Sequence, residues 1–271
     1  LSRGLGDVYK RQGYRSCIKK RCVKGSLFAS VVRVFSMKFH KMINVYKNVY
    51  AFITPSEFLK KKLALNGFDE KRIHCIPTFT ASKTTIGEPQ IGSYGLYFGR
   101  VTEEKGVETV IKAYEKLPEY TVKIMGDDTT DEAKRLKKYV KDHKMKNVEF
   151  LGFKSGEELE DIIKGARFTL IPSIWYDNLP NTALESFQYS KPVIASNIGS
   201  LPELVSDGEN GYLFEPSNVE DLIKKIKMLD DDILVKKMGQ ASRKRLENRF
   251  APQSHYEALM KIFNEAVKNR K

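Results

Sequence analysis

Apolar and polar positions alternate along this chain on two periods. Short apolar runs of four to six residues recur, and each is followed by a stretch with helical spacing. Tyr94–Phe98, Tyr120–Met125, Val148–Leu151, Arg167–Ile171 and Lys191–Ser196 read as buried strands. Gly106–Lys116, Asp131–His143 and the stretch carrying Ala183, Leu184, Phe187 and Tyr189 read as helices between them. Ser155-x-x-Glu158 and Ser217-x-x-Glu220 have the form of capping boxes. Glu209–Phe214 reads as a turn and a last strand. This order predicts an α/β fold: a doubly wound parallel sheet covered on both faces. Upstream, Val49–Thr54 and Ile73–Ile76 read as strands around a helix in Pro55–Gly67. Pro252–Arg270 carries a stripe of Tyr256, Leu259, Met260, Ile262, Phe263 and Ala266 that needs a partner surface.

The chemistry concentrates at Pro172–Pro202, where a strand ends in a loop, a helix and a second strand. A loop at a strand's carboxyl end, leading into a helix N-terminus, is where a doubly wound sheet binds anions. Asn181 or Thr182 can cap that helix, and the amides near Thr182, Ala183 and Leu184 would face a phosphate. Asp177 in the loop and Glu185 on the first turn are eight positions apart. A carboxylate beside a phosphate site is unfavourable unless it accepts hydroxyl hydrogen bonds, as from ribose or a sugar. A second loop, Phe98-Gly-Arg-Val-Thr-Glu-Glu-Lys-Gly106, holds Arg100 and Lys105 between Gly99 and Gly106. Two cations there can neutralise a departing diphosphate, and the glycines allow close backbone approach.

These two stretches resemble family-4 retaining glycosyltransferases of GT-B architecture. The family usually has two glutamates separated by seven residues; the second is Glu185, and Asp177 stands in place of the first. The other loop is close to the family's G-R-x-x-x-E-K-G. The likeness spans roughly Tyr46 to the C-terminus. It implies transfer of a sugar from a nucleoside diphosphate sugar, with no further cofactor and no metal, to a glycan or lipid-linked acceptor hydroxyl. It implies that Arg100 and Lys105 contact the diphosphate, that Glu185 takes the ribose, and that Gly126 and Phe153 lie near the nucleotide. Asp177 lies near the donor sugar or simply caps its loop, and Trp175 and Tyr176 wall the sugar or pack in the core. Gly126 and Phe153 read equally as structural residues.

The same likeness divides the chain. Residues 13–80 are read as the end of an acceptor-binding lobe, 81–93 as a linker, 94–250 as the donor-binding domain, and 251–271 as a helix returning to the first lobe. Residues 1–12 continue no pattern and are read as non-native. A complete first lobe would need about 100 more residues upstream. The expectation is therefore an incomplete first lobe, with nucleotide binding but weak or no sugar transfer by the chain alone.

Charge adds one distinction. The chain has 47 Lys+Arg, 34 Asp+Glu and a net charge of +13. Residues 1–80 hold 17 basic and 4 acidic residues, a difference of 13; residues 81–271 balance. An anionic partner of the first segment alone is expected. Ser26–Ile43 is an amphipathic helix candidate, suited either to an anionic membrane surface or to packing with a solvated basic face. No nucleic-acid module is evident. Cys17, Cys22 and Cys75 read as reduced thiols of a cytoplasmic protein, peripheral at most to the inner membrane face. Cys17 and Cys22 also read as half of a cluster completed upstream. His40, His74, His143 and His255 form no nucleophile triad. Asp230–Asp232 matches D-x-D but reads as a helix start. An oxidoreductase would need G-x-G-x-x-G after the first strand, which Gly99–Gly106 does not supply. A nucleotide-sugar epimerase and a non-catalytic basic binding module are the competing readings.

Overall fold

The computed structural model describes residues 14–80 and 90–269. The expected non-native start (1–12), most of the expected linker (81–93) and Arg270 lie outside the described residues. The described residues form two compact units: 14–54, 59–75 and 262–269 in the first, and 55–58, 76–80 and 90–261 in the second.

The first unit begins with a short helix, α1 (Arg15–Lys19), and a longer one, α2 (Leu27–Met42). Ser26 caps α2 by accepting the Ala29 amide at 3.3 Å. Only Ser30 and Val34 of α2 are buried. Phe28, Phe35 and Met42 are 78%, 71% and 71% exposed. Strands β1 (Phe52–Thr54) and β2 (Ile73–Cys75) pair in parallel, shorter than the apolar runs predicted. Tyr46, Phe52 and Phe68 form a ring cluster, with centroids 5.0 to 6.4 Å apart. Helix α3 (Glu57–Leu65) contributes its residues from Leu59 onward to this unit.

The second unit is a six-stranded parallel sheet. Its strands are β3 (Tyr94–Phe98), β4 (Thr121–Met125), β5 (Val148–Gly152), β6 (Ala166–Ile171), β7 (Val193–Ser196) and β8 (Gly211–Phe214). Their order is β5-β4-β3-β6-β7-β8. Helices α4 (Val107–Glu115), α5 (Asp131–Asp142), α6 (Gly156–Lys164), α7 (Asn181–Gln188), α8 (Leu201–Leu204), α9 (Val219–Lys227) and α10 (Asp232–Arg249) connect and cover them. α11 (Pro252–Lys268) follows, and its residues from Ile262 group with the first unit.

The alternation of strand residues explains the two covered faces. Ile194 joins Tyr97, Val110, Tyr114, Leu170 and Phe214 in one core, whereas Val193 and Ala195 join Ala183, Phe187, Leu201 and Phe250 in another. The order reverses direction between β3 and β6, and crevices open at the carboxyl ends of strands at such a switch point.

Several local expectations are corrected. Ser155 is the N-cap of α6 but makes no side-chain cap bond. At α9 the cap is Asn218, which accepts the Asp221 amide at 3.0 Å, while Ser217 adopts a positive φ of 64°. Asn218 displaces the expected serine because its amide oxygen reaches the helix from one position later. Lys191 precedes β7 rather than starting it. Its side chain is buried, and its ammonium donates to the Gln90 carbonyl at 2.7 Å and the Lys164 carbonyl at 2.6 Å. Burial pulls its pKa down to about 8. On α11, Tyr256, Phe263 and Val267 remain exposed, while Ile262 is buried.

Candidate functional site

Two loops frame the switch point: Gly99–Gly106 after β3 and Pro172–Pro180 after β6. Glycine is required where they cross neighbouring backbone. A Cβ on Gly106 would lie 2.1 Å from the Pro172 carbonyl oxygen, and one on Gly126 would lie 1.8 Å from that of Gly99. The Ile174 amide donates to the Glu104 carbonyl at 3.1 Å, so the two loops are stitched through their main chains.

The side chains build on that frame. The Lys105 ammonium donates to Asp177 Oδ1 at 2.6 Å, with both side chains about a fifth exposed (21% and 16%). Ser173 donates to the other oxygen, Asp177 Oδ2. An ammonium has three donors, so this bond orients Lys105 without exhausting it. Arg100 is exposed, and the Tyr97 hydroxyl donates to its main-chain carbonyl at 2.6 Å. Burial, and then the negative charge of Asp177, push the Tyr97 hydroxyl well above the usual phenol range, so it stays a donor. The expected pair of free cations is thus one exposed guanidinium and one ammonium held by a carboxylate.

The N-terminus of α7 differs from expectation. Its N-cap is Pro180, which makes no side-chain cap bond, rather than Asn181 or Thr182. The Ala183 amide donates to the Pro180 carbonyl at 3.1 Å and is not free for a ligand. The amides of Asn181 and Thr182 have no partner among the described residues and carry the positive end of the helix dipole. Leu184 is buried. The Ser186 hydroxyl donates to the Thr182 carbonyl at 2.7 Å and accepts from Thr169 at 2.8 Å, pinning the helix to β6. Just before the helix, Leu179 holds a left-handed φ of 57°, a conformation uncommon outside glycine. Ser200 maintains it: its hydroxyl accepts the Leu179 amide at 2.7 Å and donates to the Asp177 carbonyl at 2.7 Å.

Glu185 is partly buried on the first turns of α7, and burial alone raises its pKa. No hydrogen-bond or ion-pair partner reaches its carboxylate among the described residues. Trp175 and Tyr176 are partly exposed in the β6 loop. Phe153 follows the edge strand β5 and is 75% exposed. The Asp230–Asp232 run is fully engaged. Asp230 accepts the Tyr120 hydroxyl at 2.6 Å, Asp231 caps α10, and Asp232 pairs with Arg167 at 2.5 Å.

Sequence reading missed Tyr97, Ser173 and Ser200, because each acts through main-chain or side-chain contacts across 3 to 23 positions. Only Gly199-Ser200 carried a local signal. A Cβ at Gly199, with φ 64°, would lie 3.2 Å from the Tyr176 Cα, so that turn is built for close approach.

Residues 83–245, more than half of the chain, match the family described as Glycosyl transferases group 1. The chain belongs to that family. Among curated relatives, an uncharacterized glycosyltransferase of Methanocaldococcus jannaschii is 30% identical over 174 residues, covering 64% of this chain and 48% of the relative. A glycogen synthase of Mycobacterium tuberculosis is 28% identical over 212 residues, covering 76% and 49%. The chain spans about half the length of the curated relatives it matches. Among solved structures, a glycosyltransferase from Rickettsia africae superposes with a TM-score of 0.75 at 22% identity, covering 83% of this chain and 67% of that one. The Anabaena protein HepE, solved with UDP and glucose, gives 0.71 at 19% identity, covering 79% and 63%. These likenesses agree on the fold of the group 1 domain.

Proposed function

We propose that the group 1 domain binds a nucleoside diphosphate sugar at the β3/β6 switch point and serves its transfer to an acceptor hydroxyl, with the anomeric configuration retained. The observation that carries this reading is the Lys105–Asp177 ion pair, which ties the cation-bearing loop after β3 to the loop that leads into α7, at the reversal of the sheet order. Arg100 and the remaining donors of Lys105 come from the β3 loop, and the Asn181 and Thr182 amides from the α7 terminus. Charge grows on the phosphate oxygen as the bond to the anomeric carbon breaks, and preformed donors stabilise it most at that moment. Asp177 holds Lys105 in place before the donor arrives. Glu185, whose carboxylate has no hydrogen-bond or ion-pair partner among the described residues, accepts the hydroxyls of a ribose. A relative such as HepE, solved with UDP and glucose, makes UDP the first nucleotide to test.

The test is a thermal-shift screen of UDP, GDP and ADP, followed by calorimetry on the wild type and Arg100→Ala. At least one nucleotide should raise Tm, and Arg100→Ala should weaken its binding by about tenfold, the worth of one charge-assisted contact of about 1.4 kcal/mol. A panel in which no nucleoside diphosphate shifts Tm overturns the reading. Donor incubated without acceptor serves as the epimerase control.

The same proposal extends to the first unit. Its net positive sequence and the exposed apolar row Phe28, Val31, Phe35, Phe39 and Met42 on α2 suit peripheral contact with an anionic lipid surface. Among the described residues no helix is long and apolar enough to cross a membrane.

A further inference from the structure

We infer that Glu203 is a positioning residue for the Asp177 segment, an inference that rests on the site reading above. Glu203 lies on α8, a single turn, three positions after Ser200. Its carboxylate is bidentate on two successive main-chain amides: Oε2 accepts from Glu57 at 2.9 Å and Oε1 from Phe58 at 2.7 Å. These amides open α3, so the carboxylate also meets the positive end of that helix.

The short stretch it holds, residues 55–58, belongs to the second unit and itself touches the loop after β6. The Ser56 hydroxyl, fully buried, donates to Asn178 Oδ1 at 2.9 Å. The Phe58 ring packs on Tyr176 with centroids 5.1 Å apart. Ser200, on the same turn as Glu203, binds the Asp177 carbonyl and the Leu179 amide.

A closed circuit results. One turn of helix grips the Asp177–Leu179 main chain directly through Ser200. It grips Tyr176 and Asn178 indirectly through Glu203, Phe58 and Ser56. Between those two grips sits the carboxylate that orients Lys105. Arg245 and Arg249 donate to the Glu203 carbonyl at 2.8 and 3.0 Å, anchoring the turn to α10. Leu179 in its left-handed conformation shows why two grips are needed: a loop carrying a disfavoured residue relaxes when released from either side.

Trp175 is the only tryptophan of the chain and lies in this loop, so its fluorescence reports the loop without any ligand. The experiment is acrylamide quenching of Trp175 in the full chain for wild type, Glu203→Gln, Glu203→Ala and Ser56→Ala, at temperatures where far-UV circular dichroism matches wild type. The expected result is a roughly twofold rise in quenching for Glu203→Ala and Ser56→Ala, as the loop opens locally. Glu203→Gln, which keeps one acceptor oxygen, should lie between. If Glu203→Ala does not fold, Glu203→Gln and Ser56→Ala carry the same comparison. Quenching unchanged in every folded variant, with Tm alone reduced, would show a plain helix cap and overturn the inference. Nucleoside diphosphate affinity provides a second arm: Glu203→Ala should weaken it about tenfold in wild type but not further in a Lys105→Ala background. Additive losses also overturn the inference. Failure of wild type to bind any nucleotide refutes the site reading and leaves the positioning role to be judged by quenching.

Discussion

Glu185, proposed above to accept the ribose hydroxyls, sets stability against binding at a single position. Its carboxyl is partly buried with no hydrogen-bond or ion-pair partner among the described residues, and burial raises its pKa. The folded state therefore holds that proton more tightly than the unfolded chain, and stability falls as pH rises from the ordinary glutamate range through the raised value. Glu185→Gln should remove that fall and give a higher Tm at pH 7. It should also weaken nucleoside diphosphate binding, because an amide is a poorer acceptor for ribose hydroxyls. Melting curves at pH 4 to 7, paired with calorimetry, read both signs. A variant that loses stability and binding together would make Glu185 a packing residue. The motif made Glu185 and Asp177 legible as candidates. It did not show that Asp177 faces Lys105, because the two are 72 positions apart and meet only when β3 and β6 become neighbours.

Among the elements, α7 has a proline as its N-cap and no side-chain cap bond. Asn181→Asp adds a negative charge at its positive end, which should stabilise the free protein by about 0.3–1 kcal/mol. The same charge opposes a phosphate, so the Tm shift produced by nucleotide should shrink. Differential scanning with and without UDP checks both. The lead into β7 makes a second element-scale prediction. Lys191 is held by two main-chain carbonyls, and its folded pKa is lowered to about 8. Between that value and the unfolded value near 10.4 the unfolded chain binds more protons, so stability rises with pH by at most about 1.4 kcal/mol per unit. Denaturant melts from pH 7.5 to 9.5 should show this rise in wild type and not in Lys191→Met. Helix and strand cores followed from apolar periodicity, whereas caps did not. Ser155 and Ser217 fit a local pattern, yet their roles depend on the direction from which each loop enters its helix.

At the scale of the molecule, charge and apolar exposure fall on the same part of the chain. Residues 1–80 carry the whole excess of 13 positive charges, and α2 displays the exposed apolar row. Vesicles containing anionic lipid should bind the chain, and binding should weaken as salt is raised from 50 to 200 mM, on the order of the Debye screening change. Phe35→Asp should reduce binding at both salt concentrations, since it removes apolar insertion and adds repulsion. Co-sedimentation with neutral and anionic vesicles measures this, and equal binding to neutral vesicles would defeat the electrostatic part.

The sequence by itself determined the α/β class, the order of strands and helices and the two loops that carry candidate chemistry. It could do so because a period of two or 3.6 and the spacing of glycines and charges are local properties. Only the tertiary structure decided that β3 and β6 lie side by side at the reversal of the sheet. That adjacency brings Lys105 to Asp177, Gly106 to Pro172 and Ile174 to Glu104. Such pairings are set by which strands hydrogen-bond to one another, a choice among distant segments that no local pattern encodes.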